Sequence, residues 1–228
     1  EYVVREPEQN KGNWKELFGN ENPIELEIGI GKGRYLMDMA GRHPERNFLG
    51  IERYSSVLLR AIQKAEQRVS GASLPLNASV RKSPHRPEGC NFRFLRFDAA
   101  ELPLLFEQGE ISRIYLNFSD PWPKDRHAHR RLTSERFLER YEQILDSGCG
   151  IVFKTDNRDL FEFSLEEIRR RGWELKACTF DLHGAGESSS DSAADSAAGC
   201  AEISAGSLYA DTVEVLTEYE EKFAAKGN

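Results

Sequence analysis

Two stretches of this sequence hold residues whose types and spacing suit chemistry. In the first, Asn117-Phe-Ser-Asp-Pro-Trp-Pro-Lys124, Asp120 lies two residues before Trp122, and Arg126, His127, Arg130 and Arg131 follow. Pro121 and Pro123 fix φ and remove two backbone donors, so the loop is stiff and holds the carboxylate in a set relation to the indole. An acceptor carboxylate, a broad π face and a run of cations meet the three needs of a nucleic-acid base: an edge partner, a stacking surface and phosphate neutralisation. A bland Pro-capped loop with a solvated charge run has no need of all three at once.

The second stretch is Glu27-Ile-Gly-Ile-Gly-Lys-Gly33, with glycines at 29, 31 and 33 and Arg34 where a dinucleotide fingerprint would put its third glycine. Glycines admit a ligand close to the backbone, and a helix start offers unpaired N–H groups. Glu27 would repel a pyrophosphate but attract an ammonium or a sulfonium, and S-adenosylmethionine carries both cations. A simple tight turn would use the same glycines. Glu52, nineteen residues past Gly33, falls where an acid accepts from ribose hydroxyls in doubly wound folds. Asp98, read alone, is a turn residue; read after Glu27 and Glu52 it is an acceptor for an adenine amino group.

The elements that must position these groups follow from periodicity. Ile24, Leu26 and Ile28 mark a strand into the glycine turn, and a helix carrying Leu36, Met39 and Ala40 runs until Gly41 and Pro44 stop it. Asn47 to Ile51 is a second strand, and Val57, Leu58, Ala61, Ile62, Ala65 and Val69 give a long helix with a core face. Phe92 to Leu95 predicts a third strand, and the apolar run Ile111 to Leu116 a fourth that delivers the stiff loop. Thr133 is placed to cap a helix burying Phe137, Leu138 and Tyr141. Gly148 to Lys154 is then a fifth strand, and Asn157 caps the helix after it. Trp173 to Phe180 and Thr212 to Leu216 predict two more strands. Residues 1–23 read as a lead-in and 71–89 as a loop. The Ser-, Ala- and Gly-rich residues 184–210 read as a flexible insertion, because they cannot bury enough apolar surface to offset chain entropy.

Composition bounds the function. With 228 residues, 39% hydrophobic and 30% charged, the chain suits one domain, residues 1–228, with its own core. A net charge of -7 argues against coating nucleic acid with the whole surface, but basic residues concentrate at 81–96 and 124–131. No apolar run reaches the ~18 residues of a membrane span, and no signal pattern opens the chain, so a cytoplasmic protein is expected. The four cysteines lack metal-ligand spacing and read as reduced and structural, so no metal is expected.

These motifs resemble, in order and over nearly the whole chain, the bacterial tRNA (guanine-N7)-methyltransferase family. Glu27 to Gly33, Gly50-Ile-Glu52, Phe97-Asp98-Ala99, Asn117 to Lys124, Arg126-His127, Arg130-Arg131-Leu132, Phe153 to Asn157 and Thr217-Glu-Tyr-Glu-Glu-Lys-Phe223 carry the resemblance. It implies an α/β, class I S-adenosylmethionine-dependent methyltransferase fold (Rossmann-like) whose mostly parallel sheet has seven strands, the last antiparallel, with helices on both faces. It further implies methyl transfer to N7 of the variable-loop guanine at position 46 of tRNA. By the same resemblance Glu27, Gly29, Gly31, Gly33, Glu52, Asp98, Ala99, Asn117 and Asp120 line the cofactor site, and Asp120 is also the catalytic residue. Lys124, Arg126, His127, Arg130, Arg131, Asp156, Thr217, Glu218, Tyr219 and Glu220 meet tRNA. No obligate protein partner is implied, and monomer and homodimer both remain open. His129 departs from the lysine expected there, and the insertion is longer than the family leads one to expect.

Two other functions fit some of the same residues. Ser119-Asp120-Pro121-Trp122 resembles the Asp-Pro-Pro-aromatic loop of enzymes that methylate exocyclic amino groups of adenine or cytosine, with Trp122 at the second proline. A non-catalytic tRNA-binding module would keep the basic loop but would have no need of the cofactor acids.

Overall fold

The computed structural model describes residues 2–70, 90–180 and 199–202. Strand alternation divides the apolar residues between two faces of one sheet. In β2 (Ile24–Ile28) the residues Ile24, Leu26 and Ile28 point one way, and Glu25 and Glu27 point the other, yet all five are buried. Burial on both faces is the mark of a central parallel strand. The glycine turn then leads into α2 (Arg34–Arg42), β3 (Asn47–Ile51) and α3 (Ser55–Ser70). Next come β4 (Phe92–Leu95) and the short α4 (Leu102–Leu105), then β5 (Ile111–Asn117), α5 (Glu135–Glu142), β6 (Leu145–Thr155) and α6 (Arg158–Arg171). Before β2 lie β1 (Val3–Val4) and α1 (Trp14–Phe18); after α6 lie β7 (Ala177–Thr179) and β8 (Gly199–Glu202).

The strand order is β1-β4-β3-β2-β5-β6-β8-β7, parallel except for β8, which runs antiparallel to β6 and β7. The chain winds outward from β2 to β3 and β4, then returns to β2's other side with β5 and continues to β6. Order therefore reverses between β2 and β5, and in open α/β sheets ligands bind at the carboxyl end of that gap. One face packs Leu36, Met39, Leu58, Ala61, Tyr35 and Tyr115 beneath α2 and α3. The other packs Leu26, Leu116, Phe153, Leu138, Tyr141 and Phe161 against α5 and α6.

Several expectations need correction. The described residues form eight strands, because Val3–Val4 of the lead-in adds a parallel edge strand to β4. Gly199–Glu202, inside the stretch expected to be a loop, is a strand inserted between β6 and β7. A parallel strand with an open edge at Val152–Thr155 has donors and acceptors to satisfy, and backbone pairing needs no apolar side chains, so composition missed it. The strand expected at 212–216 lies outside the described residues, as do residues 71–89 and the rest of the insertion. Gly41 does not stop α2, which runs on to Arg42. Ser134, not Thr133, precedes α5, while Thr133 Oγ1 meets Ser164 Oγ at 2.6 Å and ties α5's start to α6. Asn157 does cap α6, its side chain accepting from the Leu160 amide at 2.8 Å.

Candidate active site

At the gap between β2 and β5, Asn117 Nδ2 donates to Glu27 Oε1 at 3.0 Å. Both side chains are buried. Among the described residues, Glu27 Oε2, Asn117 Oδ1 and Ser119 Oγ are buried and have no hydrogen-bond partner. Orphaned polar atoms are costly, and a cluster of them at a sheet's switch point marks a place built for a polar ligand. Burial raises the Glu27 carboxyl from its ordinary 4.5 to about 7, against the Asn117 hydrogen bond, the Leu36 amide at the start of α2, and the Lys154 ammonium, which all favour the anion. An acid oxygen and two neutral acceptors form a donor set that fits an ammonium.

The glycine turn adjoins this cluster. Gly29, Gly31 and Gly33 all have positive φ, at 78°, 54° and 72°. A Cβ on Gly29 or Gly31 would meet nothing within 4 Å, so that side of the turn is open for a ligand. Gly33 has a different reason: its Cβ would stand 3.2 Å from Ala61 and 3.3 Å from the Phe94 ring. The turn is hung from the neighbouring strand, since the Gly29 and Ile30 amides both donate to the Ile51 carbonyl.

The next two acids sit at the ends of the next two strands. Glu52, buried beyond β3, accepts from the Tyr54 amide at 2.9 Å through Oε1. Asp98 beyond β4 caps a short 3-10 turn, Ala99–Glu101, accepting from Ala100 at 2.9 Å, and its other oxygen lies 3.5 Å from Arg53. Glu27, Glu52, Asp98, Ala99 and Asn117 thus leave the carboxyl ends of four strands, β2, β3, β4 and β5, on one rim of the sheet.

Asp120 leaves that rim three residues after Asn117. It is exposed and has no ion-pair or hydrogen-bond partner among the described residues. The loop beyond it is held in unusual backbone: Phe118 and Trp122 have φ of 50° and 42°. Such strain persists only where surroundings enforce it. Arg131 supplies the enforcement, donating from Nε to the Pro121 carbonyl at 3.0 Å and from an Nη to the Trp122 carbonyl at 3.1 Å, with its guanidinium 4.3 Å from the Phe163 ring centroid. Arg131 is buried, so it pins the loop from inside and does not present its charge to a polyanion as expected. Arg130 is exposed and lies over the Trp122 ring at 5.0 Å, while His127 meets that ring edge-on at 5.8 Å. Lys124 and Arg126 are exposed, without ion pairs among the described residues. Asp156 is partly buried at the end of β6, near the same rim. Thr217, Glu218, Tyr219 and Glu220 lie outside the described residues.

Sequence reasoning passed over three contributors. Lys154, fully buried, puts its ammonium 5.4 Å from the centre of the Tyr35 ring. Only the register through Tyr115 to Val152, two residues before Lys154, puts it on the Glu27 face, so the sequence held no signal for it. Ser119 was read only as part of a motif. Gly50 is silent in sequence, but its bare Cα is what lets Ile30 and Leu36 settle on β3.

Comparison with known proteins gives concordant matches. Residues 21–179 match a family model described as "Putative methyltransferase". A tRNA (guanine-N(7)-)-methyltransferase of Lachnoclostridium phytofermentans is 46% identical, with 100% of this chain and 87% of that protein aligned. One from Brevibacillus brevis is 43% identical over 95% of this chain and 82% of its own length. Among solved structures, an antibiotic-related methyltransferase aligns with a TM-score of 0.52 at 16% identity, covering 74% of this chain and 77% of its own. The 16S rRNA methyltransferase KamB aligns at 0.51 and 12% identity, covering 75% and 79%. At such identities the structural likeness speaks for the fold, a Rossmann-like methyltransferase sheet.

Proposed function

The chain belongs to the tRNA (guanine-N7)-methyltransferase family, and from that premise we propose that it methylates N7 of the variable-loop guanine 46 of tRNA with S-adenosylmethionine as donor. When bound, S-adenosylmethionine supplies a methyl group activated by its sulfonium. Guanine N7 carries a lone pair and no proton, so it takes the methyl in line without a general base. Catalysis is then mainly positioning, plus stabilisation of the positive charge that develops on the purine.

The chain's residues divide these tasks. Glu27 Oε2, Asn117 Oδ1 and Ser119 Oγ hold the amino-acid end of the donor, the open side of the Gly29–Gly31 turn admits it, and Glu52 and Asp98 receive its ribose and adenine. Asp120 accepts the guanine N1–H and exocyclic amino protons, which become more acidic as N7 is alkylated, so the contact tightens toward the transition state. Lys124, Arg126 and Arg130 face solvent and neutralise phosphates, His127 edges the indole, and Asp156 stands at the rim beside them. The observation that carries the reading is that Asn117 and Asp120 leave one strand three residues apart. The unpaired cofactor acceptors and the base-reading carboxylate therefore share one anchor.

The test is incubation with tritiated S-adenosylmethionine and unmodified tRNA, followed by digestion to nucleosides. Labelled 7-methylguanosine, lost when guanine 46 is replaced, supports the proposal. A labelled N6-methyladenosine or N4-methylcytidine peak would assign an exocyclic-amino enzyme, and absence of label a binding module.

A further inference from the structure

Lys154 is fully buried on the central strand β6, and no part of the reaction described above uses it. Its backbone pairs with Asn117 in the parallel register, and its carbonyl accepts from the Phe118 amide at 2.8 Å, so its position is tied to the strand that delivers the site. Its side chain projects on the face of Glu27, where the Tyr35 ring lies 5.4 Å from the ammonium. We propose that Lys154 is a positioning residue of the cofactor site: its buried ammonium, on the same face of the sheet as Glu27, favours the Glu27 anion, whose Oε2 then pairs with the amino-acid ammonium of the cofactor. The inference rests on the S-adenosylmethionine reading.

Among the described residues, the other charged and titratable groups packed around Glu27 are committed elsewhere or neutral. From β5, the Tyr115 hydroxyl donates to Glu25 at 2.8 Å, and burial beside Glu25 holds that phenol well above its ordinary range. Glu25 on β2 itself faces Arg46, 3.3 Å away. Tyr35 from α2 contributes a π face to Lys154 and packs against Tyr115 in a T-shaped contact. Among the described residues Lys154 is thus the cation that favours the Glu27 anion against burial, beside the Asn117 hydrogen bond and the Leu36 amide. A buried carboxylate stripped of its cation takes up a proton instead of staying charged, and a neutral acid has little hold on an ammonium.

The experiment measures binding of S-adenosylhomocysteine, which keeps the ammonium, and of methylthioadenosine, which lacks the whole amino-acid portion, between pH 6 and 9. Wild type, Lys154→Met, Lys154→Gln, Lys154→Arg and Glu27→Gln are compared. Wild-type affinity for S-adenosylhomocysteine should tighten as Glu27 ionises, and Lys154→Gln should move that midpoint up by about one unit or more and weaken binding about tenfold near neutrality. Lys154→Arg should restore most of it, and methylthioadenosine should bind all variants alike. The cofactor's own amino group titrates identically throughout, so it cancels between variants. Equal losses for both ligands, or an arginine variant as weak as the glutamine one, would make Lys154 a packing residue and overturn the proposal. If wild type bound neither ligand, the cofactor reading itself would fall.

Discussion

Asn117 reaches across from β5 to donate to Glu27 on β2 over 3.0 Å, and the two strands it joins are those between which the sheet reverses order. The bond commits one oxygen of Glu27 and leaves the other buried and unpaired. A site that holds an acid in this state costs stability when empty and recovers it on binding a cation.

That cost sets the first prediction. Burial raises the Glu27 carboxyl from 4.5 to about 7, so between those values the folded chain holds a proton that the unfolded chain has released. Stability without cofactor therefore falls as pH rises through this window, by on the order of 3 kcal/mol if the whole shift is realised. Glu27→Gln should melt higher than wild type at pH 8 and close to it at pH 5, while binding S-adenosylmethionine poorly. Thermal unfolding at the two pH values checks it, and a variant less stable at both would refute it.

The two kinds of acid should separate kinetically. On the proposed reading Glu52→Ala removes a contact made equally in ground and transition states, so cofactor KM should rise with kcat within a small factor. With Asp120 facing guanine as proposed, Asp120→Asn puts a donor against the guanine donors, so kcat should fall by on the order of 10² with tRNA affinity nearly unchanged. Single-turnover transfer at saturating cofactor decides: a near wild-type rate would reduce Asp120 to a cofactor ligand.

Arg130 and Arg131 are neighbours with opposite exposure and should behave oppositely. Arg130→Ala should lower the salt slope of tRNA binding by about one unit or less and leave the melting temperature alone. Arg131→Ala leaves the Pro121 and Trp122 carbonyls without their donor and should destabilise by about 2 kcal/mol. Urea melts and salt-dependent binding of both variants form the comparison. Equal effects from the two would contradict the geometry.

Gly50→Ala tests a residue that pairs with Glu27 in the sheet but offers no side chain to the site. Its Cβ would come within 2.8 Å of Ile30 Cγ2 and 3.1 Å of Leu36 Cδ2, so Ile30 in the glycine turn, Leu36 in α2, or both must shift. A loss of about 1–3 kcal/mol is expected from overpacking, with a raised cofactor KM and an unaltered tRNA Kd. Unchanged cofactor binding would mean that the turn absorbs the methyl without shifting.

Much of the fold was legible because the relevant signals are local. Ile24, Leu26 and Ile28 alternate, glycines at 29, 31 and 33 admit the positive φ that the turn adopts, and Asn157 announces its helix, so strand, turn and cap could each be read from neighbouring residues. Acids at strand ends could be lined up on one rim once a parallel sheet was inferred, since parallel strands deliver their carboxyl ends to the same side. What tertiary structure alone decided are relations between distant segments. Gly199–Glu202 became a strand because β6 had an unpaired edge, not because its composition favours one. Thr133 and Ser164, thirty-one residues apart, met across two helices. Arg130 and Arg131 carry the same side chain in adjacent positions, and only the packing of Phe163 and the loop carbonyls beneath Arg131 turned one into a buried pin and left the other for solvent. Lys154 likewise reads as one more polar residue at a strand end, until the register with Asn117 sets it among buried groups where its charge joins the Asn117 hydrogen bond and the Leu36 amide in favouring the Glu27 anion.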